Sequence, residues 1–171
     1  MAKEYRMSAR FGSILVVLLV ALPGCGPRIH KAGPPPPPTQ VTPGSTFTVV
    51  KDFLIPSGDS GVYFQDARMY PQGDIQPNDP YCEFSAGAAT ADGVVIKTGT
   101  LTVSDVTYDE AGVGVGGIDA SITSFQLLEG ASGNTYKMDC MLPLLSGGAH
   151  FVTPAEIRGA VTGYMNLKVA P

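Results

Sequence analysis

"YKMDCML", residues 136–142, is the stretch on which the fold turns. Tyr136, Met138, Cys140 and Leu142 share one face of an extended chain and Lys137 and Asp139 share the other, because successive side chains of a strand point to opposite sides. The stretch therefore reads as a half-buried strand with Cys140 pointing inward. Tyr81-Cys82-Glu83-Phe84 repeats the pattern, with Cys82 and Phe84 on one side and Glu83 on the other. Two inward cysteines on separate strands are what a buried cross-strand or cross-sheet bridge requires.

Working outward, the chain from Ser45 onward consists of short alternating segments separated by Gly, Pro, Asn and Asp. Strands are expected over Thr46–Ile55, Val62–Met69, Val94–Lys97, Thr100–Tyr108, Ser121–Glu129 and Gly163–Val169, besides the two cysteine strands. In the last, Met165, Leu167 and Val169 face inward with Val161, and Asn166 and Lys168 face out. One helix signal is present. Thr153-Pro154-Ala155-Glu156 is a capping box with proline at the first helical position, and Gly159 limits the helix to one or two turns. The expected fold is all-β, an antiparallel sandwich or small barrel of about eight strands with one short helix near the C-terminus.

The N-terminal part has a different character. Lys3, Arg6 and Arg10 outweigh Glu4 ahead of an apolar run from Phe11 to Leu22, the pattern of an export signal. That run is too short for a membrane span, which takes about 20 apolar residues. At its end Leu22-Pro23-Gly24-Cys25 resembles the lipobox of bacterial lipoproteins, with Pro23 where Ala or Ser is usual. The resemblance implies that residues 1–24 are cleaved and that Cys25 receives a diacylglycerol and an amino-terminal acyl chain. Gly26 is not the aspartate that retains such proteins at the inner membrane, so the implied location is the outer membrane, on its periplasmic or surface face. The alternative is an ordinary signal peptide with a chance cysteine. Residues 25–44 would form a tether stiffened by polyproline II over Pro34 to Pro38, and residues 45–171 the β-domain. Ile55-Pro56-Ser57-Gly58, Gly61 to Gln65 and Tyr81-Cys82 are loosely similar to uncharacterised small envelope lipoproteins of Gram-negative bacteria, a group that implies no activity or site residues.

Cleavage before Cys25 leaves 147 of the 171 residues. Removing Lys3, Arg6, Arg10 and Glu4 from eleven basic and fifteen acidic residues leaves eight against fourteen, or −6. Such a surface repels phosphate backbones, which excludes nucleic acid as a partner. With Cys25 committed to lipid, Cys82 and Cys140 form an even pair in an oxidising compartment, and a disulfide is expected, two buried free thiols being the alternative. His30 and His150 provide no zinc spacing with these cysteines.

Candidate sites have competing ordinary explanations. Gly112-Val113-Gly114-Val115-Gly116-Gly117 satisfies the dinucleotide pattern G-x-G-x-x-G, but β-branched residues follow it where a helix is needed, so a loop or strand end is expected. His150 with Ser146 lacks the nucleophile-elbow pattern. The loop from Tyr70 to Pro80 carries Asp74, Asn78 and Asp79 without calcium-loop spacing, and turn chemistry explains it. Tyr63, Phe64, Tyr70 and Tyr81 could line a carbohydrate or peptide groove or pack as core. No catalytic, cofactor-binding or metal residue is assigned, and no cofactor is expected. The expected function is a non-enzymatic binding, assembly or envelope-maintenance role, with the membrane as one partner through the lipid and an envelope protein as another. The alternatives are an envelope hydrolase or hydrolase inhibitor, marked by an Asp/Glu pair or a His150 to carboxylate hydrogen bond in a pocket, and a small-ligand carrier, marked by a large apolar cavity.

Overall fold

The computed structural model describes residues 40–87, 92–130, 132–144 and 151–171. The signal segment expected over residues 1–24, Cys25, the expected tether as far as residue 39, and Ser146 and His150 lie outside them. Among the described residues ten strands and one α-helix are formed: β1 (Thr46–Val49), β2 (Phe53–Ile55), β3 (Gly61–Gln65), β4 (Arg68–Tyr70), β5 (Tyr81–Ser85), β6 (Val94–Ile96), β7 (Gly99–Val113), β8 (Asp119–Glu129), β9 (Thr135–Pro143), α1 (Pro154–Val161) and β10 (Met165–Lys168). Eight strands make one antiparallel half-barrel sheet in the order β10-β1-β7-β8-β9-β5-β3-β4, and β2 and β6 make a separate two-stranded ribbon.

The sheet joins two runs of neighbouring strands. One is β3, β4 and β5; the other is the meander β7-β8-β9 with β1 and β10 beside it. Their seam is the β5–β9 ladder, where Cys82 stands opposite Cys140 and Glu83 opposite Asp139. The two cysteines form a disulfide with a Cα–Cα distance of 4.0 Å, so the bridge is cross-strand within a single sheet. Both are almost fully buried, as the alternation of their strands requires.

The sheet curls around α1, which packs on β10 at one edge and on β3 and β5 toward the other. The capping box is complete: the Thr153 hydroxyl accepts from the Glu156 amide and the Glu156 carboxylate accepts from the Thr153 amide. Ile157, Ala160 and Val161 form the buried stripe of the helix. The ribbon covers the same inner face, burying Phe53, Ile55 and Ile96 and leaving Leu54 and Val95 outward. Phe53 inserts between Phe64 and Phe84, each 5.3 Å away between ring centres and nearly perpendicular to it. Since burying one such ring contributes about 1.5–3 kcal/mol, this cluster is a large share of what holds ribbon to sheet. The inner face is thus filled by side chains.

Two expected strands are each divided in the structure. Thr46–Ile55 breaks after Val49, where the Val50 amide donates to the Tyr164 carbonyl and the chain leaves the sheet for the ribbon. Val62–Met69 is the hairpin β3–β4, whose turn residues Asp66 and Ala67 have φ of 49° and 61°. A two-residue hairpin turn of this hand ordinarily carries Asn-Gly or Asp-Gly, and Ala67 supplies no such signal. The turn is held by the Ala67 amide, which donates to the Gly159 and Ala160 carbonyls of α1. Ahead of β1, Val41 already lies in the core, and the Gly44 amide donates to the Val103 carbonyl.

Two outcomes are expected from urea denaturation. Replacing both Cys82 and Cys140 by alanine should lower stability by about 4 kcal/mol, the loop-closure value for a 58-residue separation. Ala67→Gly should raise the midpoint by an amount equivalent to about 1 kcal/mol with an unchanged slope, because glycine carries no Cβ penalty at positive φ.

Candidate functional site

The outer face of the sheet carries a polar row that crosses six strands. Direct cross-strand partners Thr107, Ser124, Asp139, Glu83, Tyr63 and Tyr70 lie in one line over β7, β8, β9, β5, β3 and β4. Directly opposite residues project from the same face with Cβ atoms about 5 Å apart, so the row is a continuous track of hydroxyl and carboxyl groups. Beside β3 it opens into a cleft of about 130 Å³ lined by Asp59, Ser60, Gly61, Tyr63, Pro71 and Glu83.

Glu83 is the electrostatic centre of the track. Burial first, and the facing Asp139 second, push its carboxyl above the usual carboxylate range, while the Tyr63 hydroxyl and Lys137 act in the opposite direction. Tyr63 is only 7 % exposed. Burial and the Glu83 charge hold its hydroxyl protonated far above the ordinary tyrosine value, so it donates to Glu83. Asp139 is engaged from its own strand: Lys137 Nζ lies 2.7 Å from Asp139 Oδ2. The other oxygen, Asp139 Oδ1, is buried without a hydrogen-bond partner.

Above the track the loop between β4 and β5 folds back over the sheet. Gln65 at the end of β3 is nearly fully buried and holds this loop from inside: its side-chain amide donates to the Gln76 and Asp79 carbonyls at 2.8 and 3.3 Å, and its side-chain oxygen accepts from the Gln76 amide at 2.8 Å. Ile75 then packs with Tyr63, Tyr81, Ala120 and Met141 in a second, outer cluster. The Asp74 and Asp79 side chains point to solvent. The loop is therefore shaped by the Gln65 amide and its turns, the ordinary explanation for its composition.

The glycine run closes the β7–β8 hairpin. Gly116 and Gly117 have φ of +76°, and β8 rather than a helix follows. At Gly114 a Cβ would stand 2.7 Å from the Tyr81 hydroxyl, which accepts from the Val115 amide at 2.7 Å. The run is a close approach of backbone to a buried tyrosine, and it serves the turn. Of the four aromatic candidates, Phe64 is core, Tyr63 and Tyr81 pack in the outer cluster with their hydroxyls engaged, and Tyr70 ends the polar row.

Sequence reasoning missed Glu83 and Asp139 as a pair, although it placed each on the outward face of its strand. Their opposition depends on the register of two strands more than fifty residues apart, and the only linear clue is that each adjoins a cysteine, 82 and 140, of the disulfide. Comparison with family models, with curated proteins and with solved structures finds no match for the chain.

The raised Glu83 carboxyl sets a pH dependence with a definite sign. A group whose folded value exceeds its unfolded value stabilises the fold while protonated, and that contribution is lost as pH rises through the folded value. Glu83→Gln should therefore raise the melting temperature at about pH 8 by a few degrees, and the difference from the native chain should vanish below about pH 4, where both carry a neutral group. Thermal melts across that range measure it.

Proposed function

We propose that the chain is a lipid-anchored outer-membrane lipoprotein whose β-domain, held in the periplasm or at the cell surface, serves a non-enzymatic binding or assembly role. Residues 1–24 act as the export signal, Cys25 carries the lipid, and the proline-rich tether gives the domain reach from the membrane. The observation that carries this reading is the Cys82–Cys140 bridge, since disulfides persist in oxidising compartments, and the domain pairs the two cysteines left once Cys25 is acylated. One acyl chain binds a membrane only marginally and two or three hold it stably, which is the physical use of a lipidated first residue. Among the described residues no helix is long and apolar enough to cross a membrane.

Binding is favoured over catalysis by the geometry of the polar track. An acid and a base that attack a substrate from two sides must stand apart, with the reacting bond between them. Glu83 and Asp139 are instead direct neighbours across one ladder, Asp139 is occupied by Lys137, and its second oxygen is buried. The cleft gives access to Glu83, Tyr63, Ser60 and Asp59, a set of hydrogen-bonding groups suited to holding a small polar group. A second reading, an envelope hydrolase or hydrolase inhibitor, draws on two observations: the carboxyls of Asp59 and Glu83 line one cleft, the mark expected of such a site, and the Glu83 carboxyl is displaced upward, which suits a general acid. The inner face, filled by aromatic rings and α1, does not favour the carrier reading.

In cell fractionation the native chain is expected with outer membranes, and Cys25→Ala is expected in the soluble fraction. Recovery of the variant with the membrane would refute lipid anchoring through this residue.

A further inference from the structure

We infer that the outer edge of β6, with the groove beside it, takes up an extended peptide segment as an added strand. This assignment rests on the binding role proposed above and gives the partner a chemistry: an uncharged stretch of main chain with alternating apolar side chains.

The backbone comes first. Among the described residues β6 pairs with β2 alone, in a ribbon of two strands. A strand bonded on one side directs the N–H and C=O groups of alternate residues away from its partner, and another chain can pair with them. The other sheet edges are closed by their own residues. β4 runs into Pro71 and β2 into Pro56, and proline has no N–H to donate. On β10 the Leu167 carbonyl accepts from Arg158 Nε at 3.3 Å, and Met165 and Leu167 are buried. β6 holds neither proline nor charge within its three residues. The lysine that follows it, Lys97, is drawn toward the β2 side by Asp52, 2.9 Å away.

Room comes second. A groove of about 430 Å³ runs between Val94 and the start of β9, lined also by Ala86, Gly133, Asn134, Thr135 and Tyr136. No β2 residue lines it, so it lies on the side of β6 away from its partner. Its far wall is held in place: Tyr136 packs on Phe84 at 5.4 Å between ring centres, and the Glu129 carboxylate accepts from Ser132, Asn134 and the Tyr136 hydroxyl. Side-chain chemistry comes third. The lining residues carry no charge, so a charged side chain entering here would be desolvated without a counter-charge. Val94, Ala86 and the Tyr136 ring offer apolar contact instead. On the other face of the ribbon Val95 and Leu54 stand directly opposite each other and are 52 % and 47 % exposed. An added strand would place alternate residues beside Val94 on one face and Val95 on the other, extending both apolar surfaces. A compact hydrophilic ligand would leave the Val95 and Leu54 pair uncovered and the β6 backbone unpaired.

The test is a titration of the ¹⁵N-labelled full chain, in neutral detergent micelles, with the capped peptide acetyl-Thr-Val-Thr-Val-Thr-amide, followed by amide shifts. Saturable shifts at Val94, Val95 and Ile96 and from Asn134 to Tyr136 are expected. A form of the peptide N-methylated at every residue keeps the side chains and removes every donor, and it should bind about tenfold more weakly or worse. Val95→Lys, at an exposed position, should weaken binding of the parent peptide several-fold by placing a charge on the edge, and an unchanged melting temperature shows that the variant is folded. Undiminished binding of the methylated peptide, or of the parent peptide by the variant, would overturn strand addition here. So would saturable binding of glucose at the same amides, which would make the groove a sugar site. Shifts at β6 that grow with protein concentration in the absence of peptide would overturn it in favour of a second copy of the chain. Silence with every probe would overturn the edge as a binding surface, while the lipid-anchored reading answers separately to the fractionation of Cys25→Ala.

Discussion

The β5–β9 ladder is the constraint on which the rest of the domain depends. It joins strands separated by more than fifty residues, and without it the sheet would be two unconnected runs. A ladder of five residue pairs is a modest attachment for so long an excursion. The disulfide in its second pair removes loop-closure entropy that opposes the ladder, and the two cysteines share their inner face with Phe84 and Met138, two register steps on. Two effects then act in opposite directions within one ladder. On the inner face sulfur and rings draw the strands together, and on the outer face Glu83 and Asp139 repel.

This opposition explains how a chemically tense group persists on a small β-domain. Like charges directly opposite in a sheet are destabilising by a fraction of a kcal/mol to about 1 kcal/mol. A covalent cross-link one register step away tolerates that readily. The curvature around α1 exposes the outer face, and the Gln65-anchored loop overhangs part of it, so the track is open at the cleft and covered beside it. The same fold that fills the inner face with aromatic rings therefore leaves hydrogen-bonding groups on the outer one.

Much of this was legible in the sequence. Alternation in residues 136–142 gives the strand, the burial of Cys140 and the outward course of Lys137 and Asp139; the capping box gives the start of α1; and Met165 and Leu167 give the inner face of β10. Three features were hidden, each for a stated reason. The β3–β4 turn was missed because its left-handed residues are Asp66 and Ala67, stabilised by a hydrogen bond to a helix ninety residues away. The break after Val49 was missed because Val50, Lys51 and Asp52 carry no glycine or proline, and a bond to Tyr164 sets it. The polar track was missed because periodicity assigns a side chain to a face and says nothing about which residue stands beside it on the next strand.

Ser45 is a buried residue whose hydroxyl accepts from the Thr42 amide and from the Ala170 amide, at 3.3 and 3.0 Å. The folded unit is thus entered and left at one point, as in modules that tolerate relocation of their ends. A circular permutant that links Pro171 to Gln40 and opens the exposed bend at Gly58 would keep every ladder intact. Cargo fused after Pro171, by the same geometry, would sit beside Thr42 and Ser45.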